Sequence, residues 1–405
     1  MSISDTSPGT TGDVFSAAER AGDYIEEDTA VSVPAPPRRR VETPEDSPPI
    51  PVVDGPTPAM TVVSTAAPIS PAVADRVSTS ALFGNSTATM IAASRATNPA
   101  RATAGFRGFW ARLGLPIGPG AAEALERRCG ELRTANETIV RQATWTRAVS
   151  VLVANPKGGT GKTPTTLLIG GVLAAIRGGS VAILEVSDDR GALNLRAEGN
   201  PQLGLGELVR DIDQVTTAGR LAGYTAPQTS FASVIGSTGR RTPLNGESVV
   251  AVASVIDEFY GIRVMDSGNV TTSSAFQGAV SVADVLVIPI MNAGDSALEA
   301  IELLEELHAA GGASAALAST AIAIRITDGR PENPVVREDI ERLLKQTGVS
   351  VLHEIPYDAH IAERGQITLS SLKPATRDAF VAAAASVVRA LQSAVSAAPL
   401  QNWKA

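Results

Sequence analysis

The stretch VLVANPKGGTGKTPTT, residues 151–166, decides the fold. An apolar run ends at Asn155-Pro156, a glycine-rich turn follows, and the helical pattern TTLLIGGVLAAIR begins directly after Lys162-Thr163-Pro164. In a strand, glycine turn and helix arranged this way, the backbone N–H groups turn inward around phosphate oxygens and the helix N-terminus adds its positive dipole end. Within GGTGKT, residues 158–163, the glycines Gly158, Gly159 and Gly161 with Thr160 form the cradle, Lys162 reaches the β- and γ-phosphates, and the Thr163 hydroxyl is placed to bind Mg²⁺. Pro164 falls in the first helical turn, where a missing N–H is tolerated, yet a proline disfavours helical backbone at the Thr163 before it. Lys157 has no part in this local reading. It stands five residues ahead of Lys162, in a chain where only five of 34 basic residues are lysines.

From about residue 148 onward, short β-branched runs recur: VSVLVAN (149–155), SVAILEV (180–186), IRVMDS (262–267), DVLVIPI (284–290), STAIAIRI (319–326) and VSVLHEI (349–355). Between them lie helical patterns such as GESVVAVASVIDEFY, DSALEAIELLEELHAA and PVVREDIERLLKQT. Near-continuous apolar strands alternating with helices predict an α/β fold, a doubly wound and mostly parallel sheet with helices on both faces. Ligands in such folds sit at the carboxyl ends of the strands.

The rest of the 405 residues bounds the picture. Residues 1–100 are rich in Pro, Ser, Thr and Ala and poor in aromatics, so they are expected to form a disordered tail that cannot repay its ordering entropy. The run Arg38-Arg39-Arg40 within it is expected to be solvated, with a polyproline docking motif as the alternative. A helical preamble is expected over 101–147. There Leu125, Cys129 and Leu132 recur at helical spacing, after a segment carrying Phe106, Phe109, Trp110 and Leu113 that reads as packing against the next domain rather than as a membrane- or partner-binding element. Residues 148–395 form the expected nucleotide-binding domain and 396–405 a C-terminal tail. With 34 Lys+Arg against 42 Asp+Glu, the charge argues against a whole-surface nucleic-acid binder but allows a local basic patch. Cys129 is the only cysteine, which excludes an internal disulfide, and the N-terminus MSISDTSPGT carries no secretory pattern, so a cytoplasmic protein is expected. His308, His353 and His360 lack metal-binding spacing.

Read as a unit, Lys157-Gly158-Gly159-Thr160-Gly161-Lys162-Thr163 resembles the deviant Walker A motif, KGGxGKT, of the ParA/MinD group of P-loop ATPases. The resemblance implies ATP and Mg²⁺ as cofactors and an ATP-dependent homodimer in which Lys157 contacts the nucleotide of the partner subunit. A cation supplied in trans in this way would make ATP binding and dimerisation one event and classes Lys157 with the catalytic groups. The segment 260–290 looks like the family's Walker B region, with Asp266 holding the Mg²⁺ shell, or else capping the next turn as an ordinary strand-end acid. The segment 353–380 looks like the one beside the adenine, which implies that Pro356, Tyr357 and Asp358 contact the base; for Tyr357 and Asp358, turn chemistry is the alternative. GFRGFWARLGLPIGPGAAEALERR together with DSGN is similar to actinobacterial MinD-like ATPases encoded with type VII secretion or conjugation systems, which implies a protein partner complex.

Two positions depart from the family pattern. Members typically carry Asp-x-Asp after the second strand, the second aspartate positioning the attacking water; here Glu185 and Ser187 stand at those places. A serine cannot take the water's proton, so Asp189 becomes the substitute candidate, with a solvated turn acid or helix cap as the alternative, and hydrolysis is expected to be slow. Arg325, where many relatives have asparagine, either stacks on the adenine or forms a surface pair. The first reading is thus an ATPase that binds a partner complex as a dimer and releases it on hydrolysis. A hydrolysis-poor, ATP-locked module is a second, favoured by Ser187, and a DNA-partition ATPase using Arg337, Arg342, Arg377 and Arg389 on phosphates is a third. Membrane binding is not expected, because the C-terminal FVAAAASVVRALQSAVSAAPLQNWKA is alanine-rich with few charges.

Overall fold

The structure, a computed structural model, describes residue 103 and residues 105–113, 118–349 and 351–397. The expectations for 1–100, including Arg38-Arg39-Arg40, and for 398–405 lie outside these residues. Counting helices of eight residues or more, the chain runs α1 (Gly105–Arg112), α2 (Ala121–Gln142), β1 (Val149–Val153), α3 (Lys162–Arg177) and β2 (Val181–Glu185). It continues through β3 (Ala226–Pro227), β4 (Ser233–Ile235), α4 (Gly246–Phe259), β5 (Ile262–Asp266), α5 (Ser274–Ser281), β6 (Val285–Met291) and α6 (Gly294–Ala310). The last elements are α7 (Gly312–Ser319), β7 (Ile322–Ile326), α8 (Pro334–Gln346), β8 (Val351–Ile355) and α9 (Pro374–Ala397).

The strands make one sheet in the order β3-β4-β2-β5-β1-β6-β7-β8, parallel throughout except for the antiparallel β3–β4 pair at one edge. β1 lies between β5 and β6; the chain leaves β1 toward β2 on one side and leaves β6 toward β7 on the other, so a crevice opens between them at their carboxyl ends. The pleat sorts the apolar residues into two cores. Val149, Val151 and Val153 face α3 and α9, together with Ile183, Val264, Val287 and Ile324 from the neighbouring strands. Leu152 and Ala154 face the other way with Leu184, Met265, Leu286 and Ile288, toward α4, α5, α6 and α8. A sheet covered on both faces needs the continuous apolar strands read from the sequence, and the expected doubly wound α/β fold is the one observed. β3 and β4 escaped that reading because they have two and three residues and sit among polar turns.

The helices ahead of β1 pack differently from the expectation. Only the last turns of α2 join the body: Val140 and Ala143 are buried in the core, and Arg177 at the end of α3 donates to the Val140 and Ala143 carbonyls at 2.8 and 2.9 Å while lying over the Trp145 ring. Leu125, Cys129 and Leu132 are exposed, so the stripe they form is not the packed face. Phe106, Phe109, Trp110 and Leu113 of α1 and its end are exposed as well, Phe106 by 77%. The expectation that this segment packs against the domain is therefore corrected. α3 and α9 already cover this face of the sheet, and among the described residues the aromatics of α1 stack on one another, edge to face. α9 is long and apolar enough to cross a membrane, but its Phe380, Val381, Val387, Val388 and Leu391 are buried in the core.

Candidate nucleotide site

At the carboxyl end of β1 a cleft of about 890 Å³ is lined by the whole glycine loop, the 187–191 loop after β2, the 266–270 loop after β5 and, after β8, Pro356, Asp358, Ile361, Ala362 and Arg364. The loop turns where glycine alone is at ease: Gly159 and Gly161 have φ of +81° and +92°, and a Cβ on Gly161 would lie 2.5 Å from the Ile326 side chain. No side chain caps α3, so its first-turn N–H groups face the cleft. Pro164 does not disturb this end, since Thr165 N–H still closes the turn on the Gly161 carbonyl at 3.0 Å and Thr163 keeps its helical place.

Lys162 is buried, and its ammonium donates to the Asn155 carbonyl at 2.7 Å, the Lys157 carbonyl at 3.1 Å and Asn269 Oδ1 at 2.5 Å. Burial lowers its pKa to about 8, with the Asp266 charge opposing. Asp266 ends β5 fully buried; it accepts from Thr163 Oγ1 at 2.7 Å and Thr166 Oγ1 at 3.3 Å. Burial pushes its carboxyl up to about 7, the Thr163 hydrogen bond opposes this, and the neighbouring Glu185 charge adds to it. A buried carboxylate held beside a hydroxyl, with no ion pair of its own among the described residues, is what a hard divalent cation would satisfy, and the uncapped glycine loop is what phosphate would satisfy. The residues present thus fit Mg²⁺ and a nucleotide; Thr163 and Asp266 would hold the metal, and Gly158 to Thr163 the phosphates.

Lys157 lies at the cleft rim, its ammonium 2.9 Å from Asp295 Oδ2 at the start of α6, and that hydrogen bond raises the lysine pKa and lowers the aspartate's. Asp189 is exposed and lines the cleft, whereas the Ser187 hydroxyl donates to the Asp189 carbonyl at 2.6 Å. Pro356 and Asp358 line the cleft beside Ile326 and Asp328. The Asp358 carboxylate accepts from His360 N–H at 3.1 Å and Lys373 N–H at 2.9 Å, which is turn chemistry. Tyr357 is half exposed with Lys373 Nζ 5.4 Å from its ring centre, and is not among the lining residues. Arg325 makes neither an adenine stack nor a surface pair: it is buried and ion-paired to Glu341 at 2.7 Å and to Glu354. Because side chains alternate along a strand, Arg325 points to the side of the sheet opposite Ile324 and Ile326.

Several site residues were not read from the sequence. Asn155 donates to the Pro289 and Ser296 carbonyls at 2.9 and 3.2 Å, and so ties the end of β1 to β6 and α6. A polar residue ending an apolar strand was the available signal. Asn269 stood in the quoted DSGN, yet nothing local tells that it reaches Lys162. Glu185 pairs with Arg241 at 3.1 Å, a partner more than fifty residues away that no spacing rule suggests.

The sequence matches the CobQ/CobB/MinD/ParA nucleotide binding domain over residues 151–368. No curated protein matches it. Among solved structures it is similar to a ParA family ATPase from Chlorobium tepidum, at 17% identity over 58% of this chain and 98% of that one with a TM-score of 0.49. It is also similar to the cell division ATPase MinD of Pyrococcus furiosus, at 17% identity, 60% and 99% coverage and a TM-score of 0.45. A third is a complex of Cyanothece McdA with ATP, at 18% identity, 59% and 96% coverage and a TM-score of 0.42.

Proposed function

The chain belongs to the CobQ/CobB/MinD/ParA nucleotide-binding family, and from that membership we propose that it is a slow, Mg²⁺-dependent ATPase. In this reading it dimerises on ATP, engages a partner complex of secretion or conjugation machinery as a dimer, and releases it on hydrolysis. The observation that carries this is the pairing of Lys162, threaded into its own loop, with Thr163 and Asp266 side by side at the cleft floor. Lys162 holds the β- and γ-phosphates once they displace its loop contacts, and the loop N–H groups fix their orientation. When bound, Mg²⁺ supplies neutralisation of the charge on the phosphoryl oxygens. Asp189 lines the cleft, as does Asp188, and in this reading it is the acid that orients water. Lys157 is held outside its own loop by Asp295, so its ammonium is available to a second subunit only after that pair opens.

One observation favours a second reading, the hydrolysis-poor module. Position 187 carries a hydroxyl, which donates to the Asp189 carbonyl, where a general base would need a carboxylate. A DNA-binding surface draws less support, because Arg337 is engaged with Glu332 and Glu354 and Arg342 with Asp339.

The test is steady-state ATP turnover of the purified chain, with its mass measured with and without ATP·Mg²⁺ and Lys162→Ala as control. Turnover with a mass doubling, both lost in Lys162→Ala, is expected. A mass doubling without turnover would select the module, and nucleotide affinity retained in Lys162→Ala would remove the phosphate-loop reading.

A further inference from the structure

The loop from Ser187 to Gly191 carries Asp188 and Asp189 to the cleft, and one side chain from elsewhere in the chain grips it. Arg241, in the segment after β4, is buried with only 4% of its side chain exposed. Its guanidinium donates to three successive carbonyls of the loop: Ser187 at 2.7 Å, Asp188 at 2.5 Å and Asp189 at 2.9 Å. Nε reaches Ser237 Oγ at 2.8 Å and Nη1 also reaches the Thr242 carbonyl at 3.2 Å, so all three nitrogens are engaged. The counter-charge is Glu185, itself buried, whose Oε1 accepts from Arg241 at 3.1 Å, Ser237 Oγ at 2.5 Å and Gly191 N–H at 3.1 Å. Leu244 N–H closes the arrangement on the Asp188 carbonyl at 2.9 Å. There is no slack: a Cβ on Gly191 would lie 3.2 Å from Glu185 Oε2 and 3.3 Å from Ser187 Oγ.

We propose that Arg241, with Glu185 as its counterion, is a positioning residue for phosphoryl chemistry: it clamps the 187–189 carbonyls so that the Asp189 carboxylate is presented to the nucleotide. The proposal rests on the ATPase reading above and deepens it. It also gives Glu185 a role. Glu185, buried at the end of β2, accepts through Oε1 from the guanidinium and from a backbone N–H and so anchors the loop electrostatically, while its Oε2 has no hydrogen-bond partner among the described residues. Asp189 is exposed, and an acid on a free loop would sample many orientations. Fixing three consecutive carbonyls holds the backbone that carries this acid, and so narrows the positions its carboxylate can take before the chemical step, which is where preorganisation acts. A planar fork with five donors can do this; an ammonium cannot reach the carbonyls and Ser237 together.

The test is Arg241→Lys in the full chain, which keeps a positive charge beside Glu185. A second variant, Arg241→Gln with Glu185→Gln, removes both charges and avoids a lone buried carboxylate should Arg241→Lys unfold. Turnover should fall at least about tenfold in kcat while ATP·Mg²⁺ affinity stays within about threefold, because the clamp acts on the chemical step. In an Asp189→Ala background the same change should cost nothing further, since both act through one carboxylate. Amide exchange at Gly191 and Leu244 should quicken by about tenfold or more. Multiplicative losses with Asp189→Ala, or unchanged exchange at Gly191 and Leu244, would overturn the proposal. A parent chain without turnover would sink the ATPase reading instead, and the exchange measurement would still decide whether Arg241 holds the loop.

Discussion

At the scale of single residues, Asp266 is the group whose environment makes the most specific demand. Burial brings its carboxyl from the ordinary 3.8 up to about 7, so the folded chain keeps a proton that the unfolded chain releases. The stability contributed by that proton is fully present below the unfolded pKa and is lost as pH rises from about 4 through about 7. The melting temperature of the nucleotide-free protein should therefore fall across this window, and Asp266→Asn should flatten the slope and gain on the order of 2 kcal/mol at pH 8. Nucleotide binding should respond in the opposite sense. Protonated Asp266 has no charge for Mg²⁺, so Mg²⁺-dependent affinity should weaken as pH drops below about 7, while Mg²⁺-free affinity should change little. Equal pH dependence with and without Mg²⁺, measured by titration calorimetry, would remove the metal role from Asp266.

At the scale of elements, α2 is the segment whose contribution is largest where the sequence pattern is least explicit. Its charged first turns are solvated, and Val140 in its last turn is fully buried against the core. Val140→Ala should thus destabilise by roughly 1–3 kcal/mol, and Leu125→Ala, on the exposed stripe, by less than about 0.5 kcal/mol. Comparable losses in chemical denaturation would show that the stripe packs after all. The sequence revealed the six long strands because a sheet buried on both faces leaves continuous β-branched runs, and it revealed the phosphate loop because all its parts are contiguous. Tertiary contacts left no such trace. Arg263 in the central β5 looks like a surface charge in a strand pattern, yet it is buried, donating at 3.0 Å to both the Ala253 and Val282 carbonyls and paired with Asp257. Arg325 was legible as unusual but not as the centre of an ion network with Glu341 and Glu354, since those acids come from α8 and β8. The clamp of Arg241 on the 187–191 loop was invisible for the same reason: its geometry is set by folding, not by spacing.

At the scale of the whole molecule, the charge arrangement at the cleft rim bears on self-association. Lys157 is paired to Asp295 in the single chain, and both side chains are largely exposed, so the pair can open at little cost. Its own subunit does not need that ammonium to wrap phosphates. Lys157→Ala should accordingly keep ATP affinity within about tenfold, ~1.4 kcal/mol, yet lose the ATP-dependent mass increase and turnover. Light scattering and nucleotide titration on the same variant separate the two effects, and normal dimerisation would leave an ordinary phosphate loop with a spare lysine.

The junction between α2 and α3 has a mechanical consequence. Arg177 grips the last turn of α2 and closes the helix that begins with Lys162, while Arg133 of α2 meets Asp378 of α9 at 3.4 Å. Tension on the chain ahead of Ala121 therefore runs into the helix that carries the phosphate lysine as well as into the last helix of the fold. Load and nucleotide occupancy should then be coupled. In an optical-trap measurement with handles at residues 121 and 397, the unfolding force should rise when ATP·Mg²⁺ is present, and an unchanged force would mean that the pull is absorbed before it reaches the loop.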